Sequence, residues 1–238
     1  MRVIYFTNTG KARDNNEDGI AIDELAQTAS MQTSKMLEKN CKNLSVCDGM
    51  GGTKYGEVAT QTFLNLITST TITSKDELVS LIETVKEQIK EIDTGCAVAG
   101  IVLADEKFIY NVGDCRVYKK EGDFLNQLSK DHTIVQKLID SGEIDEEEAK
   151  NYPNKHILTS AISAKTKQIE LFSKDIKLFS KDIYFICSDG VWGEFELEEL
   201  EECFCALEIE KIDENLQQKL QQKNLGDNLS YILLEINL

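Results

Sequence analysis

Five short punctuations carry the acidic side chains of this sequence that could do chemistry: Asn16-Glu17-Asp18, Asp48-Gly49-Met50-Gly51-Gly52, Gly113-Asp114-Cys115-Arg116, Ser188-Asp189-Gly190 and Asp227-Asn228. One Asp-Gly pair is an ordinary turn signal. Here, however, Asp48, Asp189 and Asp227 each stand at one end of an apolar run that reads as a strand. Strands laid side by side would line these carboxylates along one rim. Gathering carboxylates costs repulsion that cations offset, and an oxygen-only donor set points to a hard ion such as Mg²⁺ or Mn²⁺. Two such ions sharing a bridging aspartate, about 3.5–4 Å apart, would acidify a water and clamp the oxygens of a displacement at phosphorus. Phosphate hydrolysis is the chemistry such a site serves best, and Arg13 is placed to hold the phosphate in a bidentate grip.

The elements that must position these groups follow from the pattern of the chain. Residues 2–6 and 19–22 read as strands flanking the loop that carries Arg13 and Asn16-Glu17-Asp18, and Leu44, Val46 and Cys47 as the strand that delivers Asp48. A helix over 55–69 starts at the glycine turn. Ser74-Lys75-Asp76-Glu77 matches a capping box ahead of a second amphipathic helix running to Glu91. After Gly95 come short runs typical of antiparallel strands, at 96–103, 108–112 and 116–119, with Asp114 in the turn between the last two. Residues 131–157 read as a small helical excursion, broken at Ser141-Gly142. Leu171-Phe-Ser-Lys-Asp-Ile176 recurs almost unchanged as Leu178-Phe-Ser-Lys-Asp-Ile183. This pair reads as a strand, a turn at Ser180 to Asp182, and a second strand, Ile183 to Cys187, that delivers Asp189. Helical segments at 197–207 and 212–220 and a last strand from Leu229 to Ile236 complete a mixed α and β chain. No linker divides it, so one domain over 1–238 is expected.

Composition narrows the function. The 238 residues are 41% hydrophobic, enough for a sizeable core. No apolar run is long enough to span a membrane, and the N-terminus alternates like a strand, so a cytoplasmic protein is expected. Seven cysteines without a C-x-x-C pair read as reduced thiols, and two distant histidines, His132 and His156, do not suggest a zinc site. A net charge of −16 argues against nucleic acid as a partner.

The five punctuations, with Arg13 three residues before Asn16, occur in the order and approximate spacing of the metal-dependent serine/threonine phosphatases (PPM, type 2C) in their compact bacterial form. The stretch from Asp131-His132-Thr133 to Leu158-Thr159 resembles the flap region of those enzymes. The resemblance spans essentially the whole chain. It implies an α+β fold, a four-layer α-β-β-α sandwich of two central antiparallel sheets flanked by helices. It also implies hydrolysis of phosphoserine and phosphothreonine by direct attack of metal-activated water at two Mg²⁺ or Mn²⁺ ions. By position, Asp48 resembles the bridging ligand, the Gly49 carbonyl a ligand of one ion, and Asp189 and Asp227 ligands of the other. Glu17 and Asp18 resemble residues that hold metal-bound water, with one able to ligate directly. Asp114, with Asp189, resembles the site of a third, weaker ion, and Arg13 the phosphate-binding arginine. Phosphoprotein substrates of a serine/threonine kinase and a monomeric state are implied.

Three positions depart from the pattern. Met50 stands where animal and plant members carry a histidine proposed as general acid, Cys115 replaces the usual serine, and Thr53 stands where many bacterial members have histidine. His132, in a loop leading into a helix, reads as a capping or packing residue, and Trp192 as a core anchor. Two other functions compete: a phosphoprotein-binding module that has lost catalysis, against which every acidic ligand position is filled, and a two-metal phosphodiesterase, against which the acidic composition argues.

Overall fold

The structure, a computed structural model, describes residues 1–50 and 55–237. Among these residues two antiparallel sheets form. The first has the order β4 (Lys35–Glu38), β1 (Arg2–Asn8), β13 (Leu229–Glu235), β12 (Ile183–Cys187), β8 (Arg116–Glu121), β9 (Phe124–Gln127). The second has the order β11 (Phe172–Asp175), β7 (Phe108–Val112), β6 (Gly95–Val102), β5 (Asn43–Gly49), β2 (Gly19–Ile22), β3 (Leu25–Gln27), and the short β10 (Ile162–Ser163) also pairs with β6.

The sheets pack face to face, with β13 against β5 and β2. Along β6 the side chains alternate as the pleat requires: Ala97, Ala99 and Ile101 enter the core between the sheets, whereas Cys96, Val98 and Val102 enter the layer beneath the helices. Covered on both faces, β6 is buried throughout. Helices α1 (Gly56–Ser69) and α2 (Lys75–Gln88) cover the second sheet through Phe63, Leu64, Ile67, Leu78 and Ile82. On the far side α6 (Leu197–Cys203) and α7 (Ile209–Gln221) bury Leu200, Ile212 and Leu216 against the first sheet. The result is the expected α-β-β-α arrangement. The helical excursion holds α3 (Ile134–Ser141) and α4 (Glu146–Lys150), separated where Gly142 takes a φ of 73° that favours glycine. One four-residue helix, α5 (Asp189–Trp192), follows β12 directly.

One local reading changes. Ser74 caps α2 by accepting from Glu77 N–H, but the Glu77 carboxylate accepts from Thr73 N–H, one residue further back than the box pattern. The repeat reads as expected, a strand, a turn and a strand, with the strands in different sheets: the first copy forms β11 at an edge of the second sheet, and the second turns at Lys181, with a φ of 70°, before β12 joins the first sheet.

Candidate active site

The ends of β5, β12 and β13 and the loop after β1 converge at one end of the sandwich. Asp48 is the penultimate residue of β5, Asp189 begins the helical turn after β12, and Asp227 precedes β13. Gly49 packs so tightly that a Cβ there would lie 2.6 Å from the carbonyl of Gly56 and 2.7 Å from that of Glu17. Its N–H donates to the Glu17 carbonyl at 3.1 Å. This approach seats the Glu17 carboxylate against the start of α1, where a Cβ on Gly56 would meet Glu17 Oε2 at 2.7 Å. Gly51, Gly52 and Thr53, the remainder of the glycine turn, lie outside the described residues.

Two residues without a role in the sequence reading hold the frame. Asn228 donates from Nδ2 to the carbonyls of Thr9 and Asn15, each at 2.9 Å, and accepts from Glu17 N–H at 2.8 Å, which ties the Arg13 loop to the start of β13. Ser188 donates to Asp18 Oδ2 at 2.8 Å and accepts from Ser230 N–H at 3.1 Å. The available signal was a polar residue adjoining a motif aspartate at the edge of a fully apolar run, where a side chain must satisfy buried backbone.

The electrostatics are those of crowded acids. Burial pushes the Asp18 carboxyl up to about 7 against hydrogen bonds from Ser188 and Ser230, and the charges of Asp189 and Asp227 add to it. Asp48 lies well above the ordinary carboxylate range through burial, then through the charges of Asp18, Asp189 and Asp114. Asp114 is raised likewise by burial and by Asp189, and Asp189 by burial. Asp48 and Asp189 lie close enough for each to act on the other's carboxyl. Glu17 is raised by burial and by Glu57. At the rim Arg13 Nη2 lies 2.8 Å from Asp227 Oδ2, a contact that holds the guanidinium charged.

Asp18, Asp48, Asp114 and Asp189 are therefore brought together, with Asp227, Glu17 and Arg13 beside them. Among the described residues no three acidic, imidazole or thiol groups are closed up at the spacing of a bound ion. Asp227 is engaged by Arg13 and by Asn228 N–H instead. The donor chemistry nonetheless suits hard cations: the acids are oxygen donors in excess of nearby positive charge, and their carboxyls are raised by burial and by one another, a cost that cations would relieve. Beside Glu17 and Asp18 opens a cavity of about 720 Å³, also lined by Asn16, Glu57 and Gln61.

His132 is not a cap: Thr133 caps α3, and His132 Nδ1 accepts from Gly113 N–H at 3.0 Å. Trp192 packs against the core while its ring carries Arg116 at 3.5 Å. Cys115 is fully buried in the turn.

No protein-family model matches the chain. Over its whole length it is 30% identical to a serine/threonine phosphatase stp of Listeria innocua, covering 97% of that protein. Its fold superposes on the crystal structure of the serine/threonine phosphatase Stp1 from Staphylococcus aureus with a TM-score of 0.80 and 25% identity, covering 99% of this chain and 95% of that one. It also superposes on the catalytic domain of the serine/threonine protein phosphatase PstP in complex with two manganese ions, with a TM-score of 0.74, 23% identity and full coverage of both chains.

Proposed function

The chain belongs to the PPM family of serine/threonine phosphatases in its compact bacterial form, and from that premise we propose how its residues divide the hydrolysis of phosphoserine and phosphothreonine in proteins. Two divalent cations, Mg²⁺ or Mn²⁺, held by Asp48, the Gly49 carbonyl, Asp189 and Asp227, supply charge neutralisation at the phosphoryl oxygens and the acidity that readies a water for attack at phosphorus. The observation that carries this assignment is the convergence of Asp18, Asp48, Asp114 and Asp189 at one end of the sandwich, as a cluster of acids whose carboxyls are all raised. Such a cluster is stable only with protons or cations in it.

Arg13 receives the phosphate, exchanging Asp227 for phosphoryl oxygens. Asp18, fixed by Ser188, and Glu17, seated against α1, orient water at the inner side of the site. Asp114 with Asp189 takes a third, more weakly held ion. Met50 has no proton to give, so the leaving alkoxide is protonated by water. The whole chain acts as one catalytic domain, with residues 131–157 as a flap. Among the described residues no helix is long and apolar enough to cross a membrane. That fits a cytoplasmic enzyme opposing a serine/threonine kinase, and the net charge of −16 leaves no role for nucleic acid. The chain works as a monomer.

Hydrolysis of p-nitrophenyl phosphate and of a phosphothreonine peptide, measured with Mn²⁺ and then with EDTA, tests this reading. Activity on both that the chelator abolishes and that Asp189→Asn lowers by roughly a hundredfold or more is expected. Turnover indifferent to EDTA, or unchanged in Asp189→Asn, rules it out.

A further inference from the structure

Arg116 is a guanidinium close enough to Asp114 to act on its charge, yet it hydrogen-bonds to Asp131 and Tyr118. Its Nε lies 3.1 and 3.0 Å from the two oxygens of Asp131, its Nη2 is 2.7 Å from Asp131 Oδ2, and its Nη1 is 2.9 Å from the Tyr118 hydroxyl. Its plane stacks 3.5 Å from the centre of the Trp192 ring, and the indole N–H donates to the Asp114 carbonyl at 3.0 Å. Asp131 is itself buried and takes a further hydrogen bond, from Gln127 at 3.0 Å.

The next residue closes the other side of the same turn. His132 N–H donates to the Gly113 carbonyl at 2.8 Å, and His132 Nδ1 accepts from Gly113 N–H at 3.0 Å, so both polar backbone groups of Gly113 are held by one residue. Gly113 has a φ of 93°, and a Cβ there would lie 2.4 Å from that of Ala97, so the turn is wedged against β6 with no room to shift. The His132 carbonyl accepts from Thr159 N–H at 2.8 Å, and Ile134 N–H donates to the Ile157 carbonyl at 3.0 Å. The entry and exit of the 131–157 excursion are thus stitched to each other and to the residue before Asp114.

We propose that Arg116, Asp131 and His132 form a latch that fixes the Asp114 carboxylate beside Asp189 and holds the guanidinium off it, so that the roots of the 131–157 excursion set the affinity of the third cation. The latch rests on the reading of Asp114 and Asp189 as cation-binding carboxylates. Asp131 is central to it. A bidentate, stacked guanidinium is pre-organised toward one carboxylate and does not move to another without losing both the fork and the stack. With Asp131 neutralised, the guanidinium gains by turning to Asp114, where it competes with an ion. All three are positioning residues.

Mn²⁺ binding by the full-length protein, followed by calorimetry, tests the latch, and emission of Trp192, the sole tryptophan, is a second readout. His132→Leu removes the acceptor without changing charge, and we expect it to weaken the last Mn²⁺ to bind by about tenfold or more while the tighter ions are little changed. In His132→Asn the amide oxygen can replace Nδ1 as acceptor, and it should recover most of that affinity. Asp131→Asn should weaken the same ion and also shift Trp192 emission, because the cation leaves the ring. General damage to the fold would weaken every ion together and would not be rescued by asparagine; that outcome overturns the latch, as does Mn²⁺ binding by His132→Leu and Asp131→Asn indistinguishable from wild type. A wild-type protein that takes up no Mn²⁺ overturns the metal reading itself and the latch with it.

Discussion

Arg13 and Asp227, 214 positions apart in the chain, meet through a 2.8 Å contact between Nη2 and Oδ2 at the rim of the acidic cluster. With Asp227 as the cation ligand we propose, the arginine and the incoming cation compete for one carboxylate. Arg13→Lys keeps the charge and loses the planar fork. It should lower kcat/KM for aryl phosphate and phosphopeptide alike by roughly tenfold to a hundredfold, the worth of one charge-assisted hydrogen bond to the phosphoryl group. Arg13→Ala should do the same and tighten Mn²⁺, since a competing charge is gone. Steady-state kinetics beside calorimetry separate the two effects.

The raised carboxyls make stability depend on pH in a defined direction. Asp18 has an ordinary value of 3.8 and is pushed up to about 7, so folding favours its protonated form. Its contribution is fully present below about 4 and is lost as pH rises through about 7, and Asp48, Asp114 and Asp189 act in the same sense. The melting temperature of the EDTA-treated protein should therefore fall between pH 5 and 8, by about several degrees. Saturating Mn²⁺ should restore it, with release of protons near neutral pH. Thermal melts across pH, and calorimetry in buffers of different ionisation enthalpy, check both parts.

Gly190 tests how closely α5 must approach the residues leading into β13 at the site. A Cβ there would stand 1.9 Å from the Asn228 carbonyl, which is backbone and cannot swing away. Gly190→Ala should destabilise the protein by about 1–3 kcal/mol and disturb Asp189 and Asp227 together. Denaturant melts and kcat should both fall; a variant of wild-type stability and activity would contradict the packing.

Removing the outer part of the excursion, Ile144 to Asn154, leaves the stitched residues at 131–134 and 157–159 in place. Turnover of a protein substrate should change more than that of a small aryl phosphate, as paired assays on the two substrates will show. Equal losses would mark the segment as structural.

Much of this was legible because the acids sit where long apolar runs stop. Strands such as β5, β6 and β12 announce themselves by burial on both faces, and their ends then place Asp48 and Asp189. The edge strands β3 and β4 and the short β9 carry no such signal: Lys35–Glu38 is largely exposed, and its pairing with β1 is what makes it a strand. The copied Leu-Phe-Ser-Lys-Asp-Ile segment makes the same point, since one spelling gives an edge strand and then a turn according to the neighbour on offer. The roles of Asn228, Ser188 and Asp131 were hidden because each acts through partners remote in the chain. Local patterning carries no trace of a hydrogen bond spanning 213 positions.

In the middle of the first sheet, β1 pairs along its whole length with β13. Strand β1 therefore waits for β13, and Asp227 arrives just ahead of that strand. Until β13 has emerged the polypeptide can neither complete this sheet nor assemble the carboxylates, so dephosphorylating capacity is withheld up to that point.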